Sequence, residues 1–414
     1  PRGTYLIRVR QPRGRLAGAL LEPEHSLEGE SSYDITAWSL PYAYGVEAHS
    51  VMEGLGGGWQ AVPELTPRIG GGASGSPYGY LLTPGFEAMP ALVDFLEAGG
   101  RAYAQPDTFR LGGTLYPQGT FFLPRGRNEN LDRRVNEAGL APQLTAVNTG
   151  LTETGLDLGT GSVDFVTLPQ VAVLAGDGIS STSYGAHWFF LEQKLGLPFH
   201  AINLGDLGRV DLGDLDVLVV PEARGLQGAM GESAMDVVEA WIRGGGTLVA
   251  VGSSAEALGR SLGEIGLRRA EEEELEPVEE LTRALRTREQ REEDRWAQAV
   301  PGTILKVSLD PGHPLAAGAS ADALPGEMFV LSRGRAFEPS GEFESVAFFP
   351  LDQEKISGVI SEESLDRLDQ SSWLAQVRMG RGSLILFAED PLFRMFWYSG
   401  FQLFSNALLL GPAS

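Results

Sequence analysis

The chain's five histidines are His25, His49, His187, His200 and His313. The clearest metal-ligand spacing is His25-Ser26-Leu27-Glu28. An H-x-x-E pair supplies two zinc ligands when a strand end or turn points both inward. Here it sits in the polar stretch EPEHSLEGESS, and a third ligand has to come from His49 or from farther away. A surface loop without metal accounts for the same residues. No set of three ligands can be assigned, so the chain alone is expected to hold no zinc and cleave no peptide. Cysteine is absent, which removes disulfides, thiolate metal sites and cysteine nucleophiles together.

A serine nucleophile needs a sharp strand-to-helix turn and a base. No G-x-S-x-G elbow directly follows an apolar run. Val251-Gly252-Ser253-Ser254-Ala255 is the elbow-like place, between an apolar run and a helical pattern. Ser253 or Ser254 can equally cap a helix starting near Glu256. With only the carboxylates Glu389 or Asp390 where a base is expected, Ser253→Ala is expected to change neither stability nor activity by much. Gly70 to Gly75 fits G-x-G-x-x-G but leads into a strand, so it gives nucleotide binding no support.

Carboxylates form the more coherent set. Asp177, Glu222 and the pair Glu389-Asp390 each closely follow an apolar run, as Ser253 does. Parallel strands end on one side, and open α/β sheets bind ligands beyond those ends. The expectation is a ligand site made by Asp177, Glu222, Ser253, Glu389 and Asp390 on one sheet edge. Clustered carboxylates suit a hard cation, calcium or magnesium. They serve equally as helix caps and loop anchors.

The elements that position these residues are legible in part. Val171 to Ala175, Val217 to Val220, Thr247 to Val251 and Leu384 to Ala388 are nearly continuous apolar runs. Strands covered on both faces read this way. Helical stripes lie between them: Tyr184, Trp188, Leu191 and Leu195, then Met235, Val238, Trp241 and Ile242. The pattern predicts an α/β fold, a doubly wound and mostly parallel sheet, over 166–414. A smaller α/β domain precedes it over 1–165. It opens with a strand over Thr4 to Val9, a helix over Arg15 to Leu21 and a strand-like run over Tyr33 to Val46. A β-α-β unit follows: Tyr78 to Leu82, Phe86 to Glu97, Arg101 to Ala104. Tyr116 to Leu123 adds a strand and Asn128 to Ala138 a helix. Residues 141–168 read as an interdomain connection.

A charged insertion, 268–298, interrupts the second domain. Its core, 271–295, holds eleven acidic residues and five arginines. It reads as a solvated helical excursion or as an acidic docking segment. The stretch Met395 to Ser414 reads as a buried terminal helix, with Trp397, Phe401, Phe404 and Leu408 at helical spacing.

At 414 residues the chain has room for two or three domains. Its net charge of −23 disfavours nucleic acid and anionic membranes as partners. Pro1 in place of methionine makes a processed product or a fragment the expectation.

The order of segments YLIRVRQPRGRLAGALLEP, YDITAWSLPYAYGVE, YLLTPGFEAMPALVDFLEAGG and LYPQGTFFLPRG resembles the region after the catalytic domain of large bacterial zinc carboxypeptidase-like peptidases. VAVLAGDG, LDVLVVPE and RGSLILFAEDPLFR resemble the terminal domain of those proteins, which is similar to a class I glutamine amidotransferase fold. The resemblance implies a secreted or periplasmic accessory region that supports or gates a zinc peptidase domain absent from this chain. Zinc is then expected only in that missing domain, with no cofactor here; a homo-oligomer is a further possible partner. None of the peptidase's catalytic residues carries over. The amidotransferase fold implies a cysteine elbow and a late histidine-glutamate pair, whereas this chain offers Ser253 and Glu389-Asp390. The competing reading is a free-standing module that binds a small ligand, glycan or cation at the carboxyl edge.

Overall fold

The computed structural model describes residues 4–24, 37–52, 56–62, 75, 78–161, 164–268, 285–288, 290, 300–320 and 324–413. His25, Glu28, Gly70 to Ser74 and nearly all of 271–295 lie outside the described residues, so the readings placed on them stay as expectations.

Residues 4–9 pair with no strand among the described residues and are exposed, Tyr5 by 67%. The expected opening strand is therefore not formed. Helix α1, Gly14–Leu21, follows. Part of the strand-like run is instead a short helix, α2, Leu40–Ala43. Pro41 lies in its first turn. There its missing N–H is no loss and its fixed φ suits the helix, whereas in a central strand it would break the ladder. The aromatics around it serve tertiary packing. Tyr42 lies 4.8 Å from Phe329 and Tyr44 stacks 4.1 Å from Tyr398.

The first sheet contains β1 (Gly79–Leu82), β2 (Ala102–Ala104), β5 (Phe121–Pro124), β6 (Leu144–Val147) and β7 (Asp164–Val166). Its order is β6-β1-β5-β2-β7, and every neighbouring pair is antiparallel. β3 (Phe109–Leu111) and β4 (Thr114–Tyr116) form a separate hairpin. β1 and β2 run the same way, with β5 between them, and α3 (Met89–Glu97) joins them. Met89, Leu92, Val93 and Leu96 are buried as their spacing predicts. Helix α4 is Leu131–Glu137. The expected strand from Tyr116 to Leu123 splits at Pro117-Gln118-Gly119, where Gly119 has φ +75°. The expected connection 141–168 contains two strands of this sheet, β6 and β7.

The second sheet has nine strands. Its parallel half is β8 (Val171–Ala175), β9 (Phe199–Asn203), β10 (Val217–Val220), β11 (Thr247–Val251) and β16 (Gly382–Phe387). Its antiparallel half is β12 (Thr303–Leu309), β13 (Glu327–Ser332), β14 (Glu344–Phe348) and β15 (Ser372–Met379). The order is β13-β12-β14-β15-β16-β11-β10-β8-β9. Helices α5 (Ser181–Phe189), α6 (Leu226–Gly244) and α7 (Gly252–Leu262) alternate with the parallel strands. The α/β class is thus as the apolar runs predict, while the antiparallel half is an addition that the runs did not reveal.

Helix Gly400–Leu409 is buried along its whole length. Its buried amides bond inside the protein: Asn406 Nδ2 donates to the carbonyls of Leu315 and Ala317 at 2.8 and 2.7 Å, and Gln402 Nε2 donates to Asn406 Oδ1 at 2.8 Å, while Gln402 Oε1 has no partner. Among the described residues no helix is long and apolar enough to cross a membrane.

Candidate functional site at the carboxyl edge

Strands β16, β11, β10 and β8 are adjacent and parallel. Asp177, Glu222, Ser253, Glu389 and Asp390 therefore sit at one edge. The chain steps from β8 outward to β9, then returns to place β10 on the other side of β8. Such a reversal normally leaves a ligand crevice between the two strand ends. Here the loops that leave β8 and β10 close it. Ser180 N donates to Glu222 O at 2.7 Å, and Arg224 N donates to Gly178 O at 2.9 Å. Asp177 stands exposed between Gly176 and Gly178, both at positive φ. It makes no hydrogen bond to the other four candidate residues.

The turn from β11 into α7 is made at Gly252, with φ +54°. A Cβ there would come within 2.8 Å of Glu222 Cγ, within 2.9 Å of Cδ, and closer still to Oε1. The apex thus belongs to glycine, one residue before the expected Ser253, and the carboxyl of Glu222 fills the space above it. Neither serine caps α7, contrary to the alternative reading. Ser253 Oγ donates to Ala223 O at 2.8 Å and accepts from Ala223 N at 3.2 Å. Ser254 Oγ donates to Pro221 O at 2.6 Å. Both hydroxyls tie α7 to the segment that carries Glu222.

The carboxylates are also engaged. Ser183 Oγ donates to Asp390 Oδ2 at 2.9 Å and accepts from Glu222 N at 3.1 Å. Leu392 N donates to Asp390 Oδ1 at 2.9 Å. Glu389 is 2% exposed, and its Oε1 accepts the backbone N–H groups of Arg333 (2.8 Å) and Arg335 (3.1 Å). Arg335 Nη1 lies 3.6 Å from Glu222 Oε1, an ion pair without a hydrogen bond. Burial pushes the Glu222 carboxyl up, with Asp390 adding to the shift and Arg333, Arg335 and His187 opposing it. Burial pushes Glu389 up to about 7, against the pull of Arg335 and Arg333.

Ser183, His187, Arg333, Arg335 and Gly252 are the site residues that sequence reasoning missed. His187 is fully buried; its Nδ1 lies 2.8 Å from Ser183 O. Nε2 has no partner, and Phe404 packs edge-on at 5.0 Å. Ser183 and His187 were findable as an i, i+4 polar pair on one helix face. The arginines follow a distant edge strand and carry no spacing signal.

Chemically, this arrangement offers anchors. A nucleophile must reach substrate and lose its proton to a base. Ser183 is buried, and both hydrogen-bonding roles of Ser253 are taken by backbone. Among the described residues no three His, Cys, Asp or Glu side chains form a group that could hold a metal ion. Two guanidinium groups also stand among the carboxylates, which disfavours a bound cation electrostatically.

No family model matches the chain, and no curated protein matches it. Solved structures resemble it at low scores. A ThuA-like protein from Bacteroides uniformis has a TM-score of 0.37 and 13% identity, covering 57% of this chain and 89% of that one. A glutamine amidotransferase from Thermotoga maritima has a TM-score of 0.34 and 9% identity, covering 60% and 99%. The β-galactosidase from Bacillus circulans has a TM-score of 0.30 and 16% identity, covering 65% of this chain and 34% of that one. Each is a protein this chain is similar to, and at such scores nothing about activity passes from it.

Proposed function

We propose that this chain is a non-catalytic α/β module, the accessory region of a secreted zinc carboxypeptidase-like peptidase, which supports or gates a separate catalytic domain. One observation carries the non-catalytic part. The strand-to-helix turn that would present a nucleophile is Gly252, with Glu222 packed over it. The order of sequence segments supports the peptidase context. The purified chain is expected to turn over no peptide, ester or glutamine. It is also expected to form a stoichiometric complex with a zinc carboxypeptidase-like catalytic domain in light scattering. Turnover abolished by Ser253→Ala, or no complex from a folded chain, would refute this.

A second reading is a binding module for a small ligand or glycan at the carboxyl edge. Arg335 Nη1 favours it, because that buried donor has no hydrogen-bond partner. Calorimetric titration with sugars and amino acids separates the two: saturable heat lost in Arg335→Ala selects the binding module.

A further inference from the structure

Residues 4–10 form an arm, Thr-Tyr-Leu-Ile-Arg-Val-Arg, whose β-branched and aromatic residues suit a strand. The arm pairs with no strand among the described residues. Tyr5, Ile7 and Val9 share one side of an extended chain, and they are 67, 53 and 54% exposed. Leu6 on the other side is 40% exposed. Helix α1, which follows the arm, buries only Gly14. Unpaired backbone and apolar side chains in water both favour addition to an open sheet edge.

The nine-stranded sheet has two edges, β13 and β9. β13 is covered: α2 packs on it, and Trp397 Nε1 and Ser399 Oγ donate to Phe329 O at 3.3 and 3.0 Å. β9 is open: its outer side meets no strand among the described residues, and His200, Ala201 and Asn203 are exposed. Every second residue there turns its N–H and C=O away from β8. Phe199–Asn203 holds no lysine, proline or bulge, the usual guards of such an edge. It is five residues long, as is Tyr5–Val9, whereas β6 and β7 at the edges of the first sheet have four and three.

Charge selects the occupant of that edge. Residues 1–21 contain five arginines and no carboxylate, a charge of +5. The whole chain carries −23, so the rest of it carries −28. The connection that leaves β9, 204–216, bears Asp206, Asp211, Asp214 and Asp216 against Arg209. Two such chains repel at long range, and the arm is the stretch whose sign lets one copy approach another.

We infer that the chain dimerises by arm exchange: Tyr5–Val9 of each copy adds as a tenth strand outside β9 of the other. Backbone pairing supplies the ladder, and Arg8 and Arg10 bring the charge that the aspartates beyond β9 attract. Reciprocal exchange closes the assembly at two copies. The inference is independent of the accessory role, because it needs no peptidase domain.

Light scattering of the full chain at about 100 µM is expected to give twice the 44.4 kDa of one copy. Ile7→Pro removes an N–H from the exposed arm and should raise the dissociation constant at least about tenfold, with the circular dichroism of the body unchanged. Ala201→Lys guards the edge of β9 and repels the arm's arginines, with the same expected result. The chain has no cysteine, so one copy with Ile7→Cys and another with Ala201→Cys, the middle residues of the two strands, give an unambiguous cross-link. Oxidation of the mixture is expected to join 7 to 201, whereas Leu151→Cys, at an exposed position on the first domain, should stay unjoined to 7. A monomer at that concentration, a dimer indifferent to both Ile7→Pro and Ala201→Lys, or equal cross-linking to position 151 would each overturn the exchange.

Discussion

The carboxyl group of Glu222 occupies the space that a side chain at Gly252 would need. A Cβ at position 252 would press on Cγ and Cδ of Glu222 at 2.8 and 2.9 Å, and φ there is +54°. Gly252→Ala is therefore expected to meet two penalties, left-handed backbone and a steric clash, together about 2–4 kcal/mol. In urea unfolding, Glu222→Ala made alongside should recover the steric share and leave the backbone share. A double variant whose losses simply add would show that the two positions do not share that space.

Ser253 and Ser254 are expected to matter for stability. Ser253 holds both the N–H and the carbonyl of Ala223, and Ser254 holds the carbonyl of Pro221. Ser253→Ala should cost about 1–2 kcal/mol, and Ser254→Ala a similar amount, because each leaves backbone groups unpaired. This corrects the sequence expectation that Ser253→Ala is silent. Chemical denaturation of each variant checks it, and hydrolase assays should be blank before and after the substitution.

What the sequence revealed follows from burial. β8, β10, β11 and β16 are covered on both faces, so their side chains are apolar at successive positions and the runs stand out. The antiparallel strands hide better. Lys306 interrupts β12, and Gln376 and Arg378 interrupt β15. Of the expected stripe, Leu191 and Leu195 are fully buried, while its α5 end was misphased by one residue. It includes Trp188, which is 40% exposed, while His187 beside it is fully buried. A histidine and Ser183 face inward because Asp390, Glu222 N and Phe404 receive them there, and no local pattern encodes those partners. The Glu389–Arg335 contact spans 54 residues. Spacing rules reach a few residues, so the candidate carboxylates were legible and the 333–335 segment that holds Glu389 was not.

The buried amides of the terminal helix give another test. Asn406 satisfies two carbonyls in the 315–317 segment and accepts from Gln402. Asn406→Ala removes all three partners inside a buried site. The expected loss is about 2–4 kcal/mol, because unpaired buried groups keep their desolvation penalty. Asn406→Asp should be worse, since it places a charge beside carbonyl oxygens. Thermal unfolding that ranks the aspartate variant above the alanine one would contradict these bonds.

Glu389 makes global stability depend on pH in a direction opposite to that of most carboxylates. Its folded pKa, about 7, lies above its ordinary 4.5. The folded state therefore binds more protons than the unfolded state between those values, and stability falls as pH rises through that window. This contribution is full below 4.5, disappears as pH passes 7 and is flat above it. The difference of about 2.5 units corresponds to about 3 kcal/mol at most. Other carboxylates add their own acid sensitivity, so the informative quantity is the difference between the native chain and Glu389→Gln. The variant carries no ionisable group there and its oxygen still meets the amides of Arg333 and Arg335. At pH 8 it is expected to be more stable than the native chain by about 2–3 kcal/mol, a gap that closes toward pH 5. Denaturation midpoints at the two pH values measure the gap, and a variant that is less stable at pH 8 would mean that the amides hold Glu389 ionised at neutral pH.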